Sequence, residues 1–128
     1  MVDLTQTFGD CFSIKSLPDL SKWNTKNLRC IERLFVGCRN LECLPDLSNW
    51  NTNNFTNING IFMKCKSLEY LPDISKWKTN RVIEMNNIFS SCTSLISLPD
   101  ISKWNTENAT DMNKIFTNCI SLLSLCLH

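Results

Sequence analysis

The chain has 128 residues, with 13 Lys and Arg against 12 Asp and Glu and a formal net charge of +1. A compact fold of that length buries roughly 65–70% of the unfolded surface, enough for one hydrophobic core. Balanced charge without a long like-charge run argues against a nucleic-acid or anionic-membrane binder, and no stretch approaches the ~20 apolar residues of a membrane helix.

From its start, "MVDLTQTFGDCFSIK", the chain carries acidic residues and no apolar core of a secretory signal. The reading is therefore a soluble chain with neither export signal nor membrane anchor. Met1 aligns with Leu28, so the first unit begins without a corner of its own. The first corner, "LPDLSKWNT" at 17–25, recurs with small changes at 44–52, 71–79 and 98–106. The spacing is 27 residues throughout, and Trp23, Trp50, Trp77 and Trp104 keep it. So do Phe8, Phe35, Phe62, Phe89 and Phe116, and Cys11, Cys38, Cys65, Cys92 and Cys119. A fixed period in this range marks a solenoid, whose units bury their apolar faces against one another.

After each corner the apolar residues fall at helical spacing. In the third copy Val82, Met85, Ile88, Phe89 and Cys92 lie at i, i+3, i+6, i+7 and i+10, which predicts one face of an α-helix. Thr25, Thr52, Thr79 and Thr106 stand at the N-cap positions. Glu107 lies just inside the fourth start, complementing the helix dipole. Segments such as "SLISLPD" at 94–100 are too short for another helix and end at Pro, which predicts a short strand. The expected architecture is therefore a right-handed, leucine-rich-repeat-like α/β solenoid of helix–short strand units with a short-stranded parallel sheet. It forms one domain over 1–128, with units at about 1–16, 17–43, 44–70, 71–97 and 98–124 and a partial unit at 125–128. Neither end carries a polar cap, which opens end-to-end self-association as one option.

The run "IFSSCTSLISLPDISKWNT" at 88–106 resembles the BspA-like leucine-rich-repeat surface proteins. The likeness is to the branch known as a domain of unknown function, found in mycoplasmas and in some protists and other bacteria. The likeness covers the whole chain. It implies a repetitive protein of the cell surface or extracellular space, active in adhesion or partner binding and without enzymatic activity. This chain departs from that pattern in showing no signal or anchor.

A zinc site needs four ligands converging at ~2.3 Å, whereas column thiols one rung apart spread over ~15 Å. Disulfides between adjacent rungs are geometrically allowed, but the five-membered column leaves one thiol over, and small apolar thiols filling a core column is the favoured reading. Cys30, Cys43 and Cys126 lie off the column, with Cys30 read as the most exposed thiol. The single histidine, His128, is terminal and a poor base for a nucleophile. No catalytic residues, metal ligands or cofactor sites are assigned. Asp19, Asp46, Asp73 and Asp100 suit Asx turns better than a calcium site. The Trp column reads as a buttress. The N-glycosylation patterns at Asn54 and Asn108 follow from the repeat.

Ligand discrimination must then lie where the units differ. On the expected strand face these positions are Lys15, Glu42, Glu69, Tyr70, Ile96 and Leu123. The functional expectation is a non-enzymatic surface-type module binding protein or glycan through that face, without nucleic acid or membrane insertion. A structural spacer, or a slice of a longer array with no ligand of its own, is the alternative.

Overall fold

A computed structural model describes residues 2–98 and 100–122. Successive coils stack at the 27-residue period, so that equivalent residues lie one above another. Phe8, Phe35, Phe62, Phe89 and Phe116 form a continuous stack with centroid spacings of 5.6–5.9 Å. Trp23 stacks on Trp50, and Trp77 on Trp104, each at 6.4 Å. Inside the coil, Leu28, Ile31, Leu34, Phe35, Cys38 and Leu41 are fully buried, with their equivalents in the next two units.

The contents of each coil overturn the α/β expectation. Residues 82–92 and their equivalents are not helical, and among the described residues only 120–122 are. Among the described residues, the segments expected as strands form no sheet. Parallel pairing occurs instead inside the supposed helices, as isolated bridges linking Asp3, Cys30, Asn57, Glu84 and Asp111 in succession.

The backbone hydrogen bonds explain why. The N–H groups of Ile31, Arg33, Phe35 and Gly37 reach sideways to the carbonyls of Asn57, Asn59, Ile61 and Met63 on the next coil, at 2.8–3.1 Å. The intervening N–H groups of Leu34, Val36 and Cys38 bond back to Ile31, Arg33 and Phe35. Each segment is thus a run of overlapping β-turns whose alternate donors serve the neighbour. A helix would send every donor four residues back. Two positions per coil take the left-handed conformation that such turns need at their third residue. One column is Gln6, Arg33, Gly60, Asn87 and Lys114, and the other Asp10, Gly37, Lys64, Ser91 and Asn118, with φ of 52–69°. The i, i+3, i+6, i+7 spacing is therefore that of a turning ribbon that buries a residue about every three. Asn59-Gly60 is the contrary signal, since Asn-Gly marks a turn.

The Thr residues cap nothing. Thr25 and Thr52 are buried, and their hydroxyls accept the N–H of Asn51 and Lys78 on the following coil, at 2.8 and 2.7 Å. Thr79 donates to the Asn105 carbonyl. A hydroxyl that would close a helix end here staples coil to coil. Glu107, likewise, starts no helix: its N–H donates to Asn105 Oδ1 at 2.8 Å.

Candidate interaction surface

The corners turn on their aspartates. Asp19, Asp46, Asp73 and Asp100 each accept the N–H of the Ser two residues on, at 2.8–2.9 Å, which is an Asx turn. Hydrogen bonds from that Ser hold all four carboxyls below the ordinary value of 3.8. Trp50, Trp77 and Trp104 complete the corner by donating Nε1–H to the carbonyls of Leu20, Leu47 and Ile74, at 3.0–3.2 Å. Both columns are committed to architecture.

The cysteine column is committed too. Cys38, Cys65, Cys92 and Cys119 are buried, and each thiol donates to the carbonyl of a column Phe in the preceding coil, at 2.9–3.1 Å. Burial pushes Cys38 up to about 11 and Cys92 to about 12, and raises Cys65 and Cys119. Such thiols are poor nucleophiles, because the thiolate is the reactive form. Off the column, the expectation for Cys30 fails. It is half-buried at the bridge, with its sulfur 3.2 Å from the Thr5 hydroxyl, while Cys43 is exposed. Cys126 and His128 lie outside the described residues. The Asn54 and Asn108 side-chain amides donate to the carbonyls of Lys26 and Asn80 one coil back, so both serve the stack.

The variable positions behave differently. Lys15, Glu42, Glu69 and Tyr70 are exposed, Tyr70 at 60%, and Ile96 is half-buried. Leu123 lies outside the described residues. The backbone joins this column in pairs, Glu42 N–H to the Lys15 carbonyl at 2.8 Å and Ile96 N–H to the Glu69 carbonyl at 3.0 Å. Glu42, Glu69 and Tyr70 come together with Ser67 and Ser94 around an open depression of ≈ 440 Å³. Lys15 and Ile96 share the column but do not line the depression. Chemically this is a shallow, acidic, hydroxyl-bearing surface with one projecting aromatic ring. Sequence reasoning missed the polar segment at 76–81, where Lys78 and Arg81 stand at positions that are Asn in other units.

The model of the family described as "Mycoplasma protein of unknown function, DUF285" matches residues 2–125. The chain belongs to this family. Among solved structures it is similar to a leucine-rich-repeat protein of T. pallidum, at 23% identity and a TM-score of 0.59. The match covers 95% of this chain and 50% of that one, so the chain spans half the length of its structural neighbour. That likeness shows the fold: a repeat protein module of leucine-rich-repeat type, built here from turn ribbons. No curated protein matches the chain. Among the described residues, no helix is long and apolar enough to cross a membrane.

Proposed function

We propose that this chain is a non-enzymatic interaction module that binds a protein partner through the surface around Glu42, Glu69 and Tyr70. Within the family, the reading favoured is a BspA-like surface module acting in adhesion. The observation that carries the proposal is Tyr70. Its column holds Ser16, Cys43 and Ser97 in the other units, so stacking does not require an aromatic there. It nevertheless projects into solvent beside two carboxylates. Exposed Tyr gives large contact area at low entropic cost and is enriched at protein interfaces. The flanking glutamates suit a basic partner surface.

The test is a comparison of the wild-type chain with an E69K/Y70S variant, in which Ser restores the column residue. Partners held by immobilised wild-type chain should be lost by the variant, with an unchanged melting temperature. Retention of the same partners by a folded variant discards this surface.

A further inference from the structure

Away from the acidic depression, two open grooves of ≈ 500 and ≈ 560 Å³ run into each other, sharing Lys78 and Asn80. Lys26, Lys76, Lys78, Arg81 and Lys103 line them, and no Asp or Glu does. In a chain with a net charge of only +1 this is a local excess, of which Lys76 and Lys103 are partly offset by the neighbouring Asp73 and Asp100.

The repeat does not account for it. The position of Lys78 is Asn24, Asn51 and Asn105 in the other units, and each of those asparagines closes an Asx turn on the N–H two residues on. Lys78 lacks that local bond and brings a positive charge to the groove lining. The position of Arg81 is Asn27, Asn54 and Asn108 elsewhere. Arg81 reaches back one coil, where Asn54 Oδ1 accepts its Nη1–H at 2.9 Å, and Asn54 is itself fixed by donating to the Lys26 carbonyl at 2.9 Å. One N–H of the guanidinium is used to aim it, which leaves the rest of the fork for a ligand. Among the described residues Lys26, Lys78 and Arg81 form no ion pair.

From this we infer that the groove is a second binding site, for an acidic polysaccharide. The positive charges suit the repeated sulfate or carboxylate groups of such a chain. Between them, the side-chain amides of Asn53 and Asn80, which hold no hydrogen bond among the described residues, are available to sugar hydroxyls. A single-stranded nucleic acid fits less well, because base stacking needs exposed rings, and the one aromatic in the lining, Trp77, is 4% exposed. The groove shares no residue with the Glu69–Tyr70 surface, so each site stands or falls alone.

Heparin fragments are the probe, titrated calorimetrically into the full chain at about 0.1 M ionic strength, where the screening length is ~10 Å. The wild type should bind, and K78N/R81N should bind at least tenfold more weakly with an unchanged melting temperature. Both changes install the residue that the other units carry. The control K64N/K66T removes the same charge elsewhere, again using residues found at equivalent positions (Asn118 and Thr93), and should bind as the wild type does. Equal binding by both variants, or no heparin binding by the wild type, overturns the site. Tighter binding of a single-stranded oligonucleotide than of heparin overturns the assignment to polysaccharide.

Discussion

Gly37 and Lys64 occupy the same place in successive coils, both with φ above 60°. A side chain there costs roughly 1–2 kcal/mol, partly offset by the entropy that glycine loses on folding. Lys64→Gly should therefore stabilise the chain by about 0.5–1 kcal/mol in urea unfolding. Gly37→Ala should destabilise it by about 1 kcal/mol, the cost of the left-handed backbone, since the Asp10 carboxylate that a Cβ would meet is exposed and can turn aside. Thiol chemistry makes a second prediction at this scale. Cys43 is exposed, whereas Cys38, Cys65, Cys92 and Cys119 are buried, hydrogen-bonded and raised above the ordinary thiol value. In mass-resolved alkylation of native protein, Cys43 should label well before the column thiols. Column labelling at the same rate would contradict the packing.

A coil is held by its neighbours far more than by itself. Half the donors of each turn ribbon are satisfied on the adjacent coil, and the Phe stack runs through all of them. Phe62 has a ring on either side, so Phe62→Ala opens the stack in both directions. The expected loss is about 3–5 kcal/mol, read as a shift of the urea midpoint. Far-ultraviolet circular dichroism should lack the paired minima of α-helix. A strongly helical spectrum would contradict the turn ribbon. At this scale the sequence was legible in period and burial but misleading in geometry. Val82, Met85, Ile88, Phe89 and Cys92 are all buried, as their spacing required, yet spacing cannot say where the intervening donors go.

For the whole molecule, the titrating groups define a pH window. Asp19, Asp46, Asp73 and Asp100 have depressed values in the folded chain. Their contribution is present above the ordinary value of 3.8 and lost as pH falls through the folded values. The column thiols are raised, so the unfolded chain releases their protons first. Stability should then decline above the ordinary thiol value of 9.0 towards about 11–12. Urea midpoints should therefore hold level at neutral pH and drop on both sides. A Cys65→Ala variant gives up its hydrogen bond to Phe35 but should show a shallower alkaline decline.

The candidate surface was partly legible. Lys15, Glu42, Glu69 and Ile96 were found as the residues that differ within a column, and the backbone does join them in pairs. Only the coil geometry closed Glu42, Glu69 and Tyr70 around one depression. Lys78 and Arg81 are equally plain departures from Asn columns, but they lie outside the segments whose pattern predicts strands. By itself the sequence determined the period, the buried columns and the turns at each Asp, because these rest on residue type at fixed spacing. Whether the buried segments were helices or turn ribbons was decided only by tertiary structure. That choice depends on whether a backbone N–H finds its partner four residues back or on the next coil, and the second partner exists only once the coils are stacked.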